Sequence, residues 1–358
     1  MRRAVILYFF ISILSFIGVQ GAEKTNETEA DSFDITEMIM HHISDAHEFQ
    51  ILTIPRKSKE DIKISLPLPI ILWNSDGLHL FNSSKLYRES VVESRNSHFK
   101  MYHEKIYETD SSGAININEQ GEVTNVKPLD LSITKNVLTM FLAMFIILYL
   151  SISAAKTYSK TEGPSVPKGT QKILEPIVLF VRDDIVRAQI DEKKSDFFTP
   201  FLLSLFFFIW VSNLIGIIPF FPGGANLSGN ISFTLTLAVF AFLATNIFGS
   251  RHYWREILIA PGIPFYVKIF LVPIEIIGMF TKPFALMLRL FANITAGHII
   301  ILSITSIIFV LETIYASPLT ILLSLIMFTL EFLVATLQAY IFTLLTALFI
   351  GLAVNTEH

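Results

Sequence analysis

The sequence predicts an all-α polytopic membrane protein with about five transmembrane helical segments, the last two long and tilted, preceded by a small β-rich extracytoplasmic domain. Three observations carry this reading. Of the 358 residues, 52% are hydrophobic and only 16% charged, with 32 phenylalanines, a composition rare among soluble domains. After Leu131 the apolar residues gather into five stretches, each near or above the roughly 20 residues that a helix needs to cross a bilayer. Before Leu131 a leader-like N-terminus gives way to a polar segment with short strand-like runs. A formal charge of -4 and a pI near 6.1 give no basic excess of the kind that nucleic-acid binding requires. Cysteine is absent, which excludes a disulfide framework, a thiolate metal site and a cysteine nucleophile.

Residues 1–21 read as a secretory signal peptide. Arg2 and Arg3 form its charged start, Ala4 to Val19 its apolar body, and Val19 and Gly21 supply small residues suited to cleavage after Gly21. A retained signal anchor is the alternative, because the apolar run is nearly long enough to span; the polar stretch from Glu23 favours cleavage. Either way the next segment lies outside the cytoplasm.

Residues 22–130 have the composition of a small soluble domain. Ile39, Met40, Ile43 and Ala46 lie at helical spacing, so a helix is expected over Asp34 to Glu48. Strands are expected at Ile62 to Leu66, Pro69 to Trp73, Leu78 to Phe81 and Ala114 to Ile117, the last running into a hairpin turn at Glu119-Gln120-Gly121 before Val123. His41, His42 and His47 raise a metal reading, but without a carboxylate in clear register they read as surface residues.

Residues 131–358 form the membrane domain. Its apolar stretches run at about Asn136 to Ala154, Phe201 to Phe221, Phe233 to Phe248, Ile269 to Leu311 and Pro318 to Val354. The last two are too long for an upright span, so each is either a strongly tilted helix or a helical hairpin. Lys156, Lys160, Lys168, Lys172, Arg182, Arg187, Lys193 and Lys194 mark the first connection as cytoplasmic, whereas Pro222 to Asn230 carries no charge. Arg251, Arg255 and Lys268 return to the cytoplasmic side, which leaves the C-terminus there after five crossings. Within the first connection, Gln171 to Ile190 mixes apolar and charged residues. It suits either a helix lying in the interface plane or a linker helix packed on a partner.

An ionisable group in the bilayer core costs about 2.5 to 3.5 kcal/mol on insertion scales, so polar residues inside the apolar stretches are the first functional candidates. The fourth stretch holds Glu275, Lys282, Arg289, Asn293 and His298; the fifth holds Glu331 and Gln338. Arg289 and Asn293, four apart, share a helical face that Ala296 continues. Leu286, Met287, Leu288, Leu290 and Phe291 surround the arginine, leaving no acid within its own turn. Glu331 and Gln338, seven apart, also share a face. A structural pairing of Arg289 with Glu331, or of Glu275 with Lys282, is the bland alternative.

Thr281-Lys-Pro-Phe-Ala-Leu-Met-Leu-Arg-Leu-Phe-Ala-Asn-Ile-Thr-Ala-Gly-His298 resembles the signature helix of the subunit a family of F-type ATP synthases. Leu337-Gln-Ala-Tyr-Ile-Phe-Thr-Leu-Leu345 resembles the end of that family's last helix, and Asn213-Leu-Ile-Gly-Ile-Ile-Pro219 its second-span motif. The resemblance runs from about Leu131 to the C-terminus with motif order and spacing kept. It implies a non-catalytic, proton-translocating stator subunit without cofactor or metal, partnered by a ring of c subunits and by the b subunits of the peripheral stalk in a bacterial inner membrane. By the same resemblance Arg289 is the essential arginine facing the ring, with Gln338 near it. His298 and Glu331 line the outer half-channel, with their residue types exchanged relative to many bacterial members. Asn293 belongs to the outer path and Glu275 to the cytoplasmic one. A lone secondary transporter would show internal repeats and paired broken helices, which the sequence lacks; a purely structural anchor is the other rival. No phosphate loop or nucleophile motif occurs.

Overall fold

A computed structural model describes residues 45–54, 62–88, 91–160, 167, 169–218, 222–311 and 317–355. The signal-peptide assignment, His41, His42 and most of the expected Asp34–Glu48 helix fall outside these residues. The described end of that segment is not helical: Asp45 to His47 run without regular structure, and Glu48 opens a strand. The helical spacing upstream does not extend past Ala46, because Glu48-Phe-Gln-Ile-Leu-Thr-Ile54 finds a partner strand instead.

Among the described residues eight strands build the N-terminal domain. β1 (Glu48–Ile54) pairs antiparallel with β2 (Ile62–Pro67). β3 (Pro69–Asn74) lies between β4 (Gly77–Asn82) and β8 (Leu129–Asp130). β5 (Val92–Ser94), β6 (Ser97–Tyr102) and β7 (Lys105–Thr109) form a third antiparallel sheet, and α1 (Ser83–Arg88) joins β4 to it. Alternation gives the core: Ile70 and Leu72 of β3 point inward with Leu86, Val92, Phe99 and Ile106, all buried. His79 is buried among them, and its ring nitrogens meet Asn74 Oδ1 at 2.8 Å and Ser94 Oγ at 3.2 Å, so a polar ring is held without an unmet donor. The expected strand at Ala114 to Ile117 is reduced to a single bridge between Ile117 and Val123, closed by the Asn118–Gly121 turn that the sequence signals.

The domain is fastened to the first membrane helix, α2 (Lys135–Lys160), by residues far away in sequence. Thr134 Oγ1 donates to Asp45 Oδ2 at 3.0 Å, the Asn136 N–H donates to Asp45 Oδ1 at 3.2 Å, and the Lys135 N–H donates to the Ala46 carbonyl at 3.0 Å. These bonds take up N–H groups that a helix start otherwise leaves open. Beside them, His47 Nε2 lies 2.9 Å from Asp130 Oδ2. Burial works against the Asp130 carboxylate, but hydrogen bonds from His47, the Ser132 hydroxyl and the Ser132 N–H outweigh it and hold its pKa below the usual range. For Asp45 burial wins over its hydrogen bonds and raises the pKa.

The regular elements described in the membrane domain are all helical. α3 (Thr170–Phe180) continues through a π-helical turn, Val181–Val186, and a last turn, Arg187–Gln189. Val181, Ile185, Val186 and Ile190 bury into the helical core, while Asp183 stays outside with Arg182 at 2.8 Å and Arg187 at 3.2 Å. α4 (Glu192–Ile217) is the most enclosed span. α5 (Ile231–Ile247) and α6 (Arg251–Ile259) form a pair bent by 99°. α7 (Phe265–Leu311) and α8 (Ser317–Val354) have 47 and 38 residues and are single helices, which decides between tilt and hairpin. At 1.5 Å per residue they are about 70 and 57 Å long against a hydrocarbon core of about 30 Å, so both must lean strongly. Among the described residues four helices are long and apolar enough to cross a membrane, or five if the bent pair is one span.

α8 packs against both α4 and α7, with Ala335, Ala339 and Ala347 fully buried so that neighbouring backbones approach closely. Trp210 Nε1 donates to Thr336 Oγ1 at 3.1 Å, and Asn213 Nδ2 to the Ala335 carbonyl at 3.5 Å, tying α4 to α8. At the far end of α8, Gly351 lies against the Gln189 carbonyl, where an added Cβ would come within 2.0 Å of the oxygen. Asn355 Nδ2 donates to the same carbonyl at 3.2 Å.

Candidate functional site: the seam between the two long helices

The polar residues of α7 and α8 meet pairwise across their contact. Asn293 Nδ2 donates to Gln338 Oε1 at 2.9 Å, and Gln338 is only 2% exposed. About a turn further along, His298 Nδ1 touches Glu331 Oε1, with both residues buried. The α-helical repeat explains the register. Asn293 and His298 are five apart on α7, Gln338 and Glu331 seven apart on α8, and the helices run antiparallel, so the two pairs stack along one seam. Gly297 packs beside the second pair: its backbone faces Glu331, and a Cβ there would stand 3.4 Å from Oε1, in ordinary contact. A buried acid and a buried imidazole in contact can hold one proton between them and pass it on.

Arg289 stands apart from both pairs. It is exposed on α7, and among the described residues no carboxylate pairs with it. Glu331, its candidate structural partner, contacts His298 instead. Ala285, Ala292 and Ala296 are exposed on the same side of the helix, four before and three and seven after the arginine. Small residues around a guanidinium let another helix come close to it. The sequence reading used only Ala296 of this stripe; the i, i+4, i+7, i+11 spacing from Ala285 was the available signal.

Glu275 is exposed on α7, about 21 Å along the axis from Arg289 on the side opposite His298, which is about 14 Å away by the same rise per residue. It lines an open-sided cavity of about 390 Å³ with Tyr253, Glu256, Met279 and Lys282, enough for several waters. No ion pair joins Glu275 to Lys282 among the described residues; the Lys282 ammonium lies 5.5 Å from the Phe349 ring centroid. Tyr253 and Glu256, brought in by the bend between α5 and α6, were not singled out from sequence, because their approach depends on a turn between helices rather than on a local pattern. Among the described residues no three histidine or acidic side chains are placed to hold a metal ion.

Two over-long helices with a buried acid–imidazole contact and a half-buried amide bridge between them, and a guanidinium on their open side that no carboxylate meets among the described residues, define a polytopic membrane protein with ionisable groups inside its apolar helices. Residues 137–351, more than half of the chain, match the family described as ATP synthase A chain, and the chain belongs to that family. It is 44% identical over 231 residues to ATP synthase subunit a of Chloroherpeton thalassium, a match covering 64% of this chain and 68% of that one. To ATP synthase subunit a 2 of Chlorobaculum tepidum it is 43% identical over 234 residues, covering 64% and 65%. To ATP synthase subunit a 2 of Prosthecochloris aestuarii it is 37% identical over 306 residues, covering 82% of this chain and 93% of that one. That last match is longer than the stretch from Leu131 onward, so it reaches into the β-rich domain. Residues 38–131 match a family described only as a domain of unknown function.

Proposed function

We propose that the chain is the proton-translocating stator subunit of an ATP synthase, forming two offset half-channels against a ring of c subunits and coupling proton flow to rotation. The observation that carries this reading is the unpaired, exposed Arg289 between two separate polar stations on one helix. A proton enters from the outer side past Asn293, His298 and Glu331 and neutralises a ring carboxylate, which then moves into lipid. The next carboxyl to reach Arg289 loses its proton, because a fixed positive charge favours the ionised acid. The released proton leaves past Glu275 through the water-sized cavity. Arginine suits this task because it stays charged at any working pH, whereas a buried lysine deprotonates. Each proton falling through 100 mV supplies about 2.3 kcal/mol, so several must be summed for one ATP, and rotation performs the sum.

In this reading residues 22–130 are a domain on the outer side, released by cleavage after residue 21, and residues 131–358 are the channel domain of a bacterial inner-membrane protein with a cytoplasmic C-terminus. The exposed alanine stripe around Arg289 supports docking of the ring there. The b subunits of the peripheral stalk are the second expected partner, and ATP itself is handled elsewhere in the complex. The test is Arg289→Ala in the assembled complex. ATP-driven proton pumping in inverted vesicles should be abolished, and normal pumping would remove Arg289 from the mechanism.

A further inference from the structure

The β-rich domain carries an apolar surface that neither the family's membrane core nor the proton path uses. In the β4-β3-β8 sheet, residues Ile70, Leu72 and His79 face the core, so their neighbours point the other way. Register puts them in two rows. Leu78, Trp73 and Leu129 are aligned by the Trp73↔Leu78 and Trp73↔Leu129 pairings. Leu80 and Leu131 flank Ile71, through the Ile71↔Leu80 pairing and the bond from the Leu131 N–H to the Ile71 carbonyl. Five of the six are large and exposed, Leu80 at 64%, Leu129 at 61%, Trp73 at 56%, Leu131 at 55% and Leu78 at 37%, and none of the six is ionisable. A sheet face of this kind in water marks a contact surface.

We propose that this face rests on the outer leaflet of the bilayer, at the level of the lipid headgroups and upper acyl chains. The choice of occupant follows from reach. Leu131 is only four residues before Lys135, where the first membrane helix begins, so the row containing it stands at most about 14 Å from that helix start. Nor can the sheet swing away. The Leu131 N–H, the Ile133 N–H and the Ser132 hydroxyl are bound to Ile71 and Pro69 of β3, and Asp45 and Ala46 hold the start of α2. The face is continuous in chain and character with α2, a candidate membrane span whose Phe141, Phe145, Leu148 and Tyr149 are exposed. Tryptophan at the centre of the outer row is the side chain best suited to the boundary between water and hydrocarbon.

The absence of cysteine makes the test clean. Single-cysteine variants Leu80→Cys and Leu129→Cys, with Lys85→Cys on α1 as a control, are labelled with an environment-sensitive fluorophore. The full chain is then reconstituted in phosphatidylcholine vesicles containing lipid spin-labelled near the headgroup. An apolar face sunk about 5–10 Å into the boundary should give quenching at positions 80 and 129 at least about twofold above that at position 85. Equal quenching at all three sites overturns the proposal. So does protection of positions 80 and 129 from aqueous iodide that appears only when the remaining subunits of the complex are added, since a protein partner would then be the occupant.

Discussion

Exchanging the members of the buried pair, His298→Glu together with Glu331→His, should spare proton transport that either alanine substitution destroys. In the native seam the imidazole and the carboxylate touch, and both are withdrawn from water. In Glu331→Ala the imidazole must take up a proton without a counter-charge. At about 2.5 to 3.5 kcal/mol for an uncompensated mid-membrane charge, and tenfold in rate per 1.36 kcal/mol, proton entry should slow on the order of 100-fold. His298→Ala should cost a comparable factor by leaving the carboxylate alone. The exchanged pair keeps one acid and one base in contact and loses only in alignment, for which about tenfold is a generous allowance. Gly297 leaves room for the repacking because it presents no side chain to position 331. The assay is ATP-driven acidification of inverted vesicles carrying the whole complex, normalised to ATP hydrolysis. Equal loss in the exchange and in the single alanine variants would refute a relay through this contact.

Arg289→Lys should retain part of the pumping near neutral pH and lose it as pH rises, because a partly desolvated ammonium sheds its proton where a guanidinium does not; a pH profile of pumping parallel to wild type would contradict this. Gly351→Ala drives a methyl group onto the Gln189 carbonyl at 2.0 Å and should lower stability by about 1–3 kcal/mol, measured as a reduced melting temperature in detergent. The attachment of the β-rich domain to α2 should depend on pH in two opposite ways. Asp45, with its raised pKa, disfavours the folded state at neutral pH, so its contribution improves as pH falls through that value. Asp130, with its lowered pKa, stabilises above the ordinary carboxylate range, and this is lost as pH falls through the depressed value. Asp130→Asn should abolish the second, acid-side loss, read as amide exchange across residues 133–139 corrected for intrinsic rates.

The membrane half was legible because its signals are local. Apolar length gave the spans, and charged or amide side chains inside them gave every member of the seam. What remained open was whether α7 and α8 were broken. The sequence shows Pro273 and Pro283 inside α7, yet the helix runs through both. The β-rich domain was read less well, for a different reason. β6 and β7 are joined at His103 and Glu104, both at positive φ (47° and 60°), and the β5–β6 turn uses Arg95 at 54°. Residues of these types do not announce a turn as glycine or asparagine would. The helix expected from sequence overlaps β1 only at Glu48, and Phe49 to Ile54 carries no strand expectation because its identity depends on pairing with β2 across an intervening segment. The exposed alanines beside Arg289 were visible as spacing but meaningless until the arginine stood without a carboxylate partner among the described residues.

If all of α8 lies within the hydrocarbon, its unbroken length fixes an angle. A rod of about 57 Å confined to a slab of about 30 Å inclines by about 60°, so it travels further sideways than it descends. Of the roughly 34 Å along α7 between Glu275 and His298, only about half is then a difference in depth, and the larger component, about 30 Å, is lateral. Two openings built on such a rod are displaced around the circumference of anything that turns beside it. Under the proposed function, a carrier leaving one would circle nearly the whole way to reach the other by the lipid side, or pass Arg289 on the short arc between them. Had α7 been folded into an upright hairpin turning near its middle, the two stations would sit side by side at nearly the same depth.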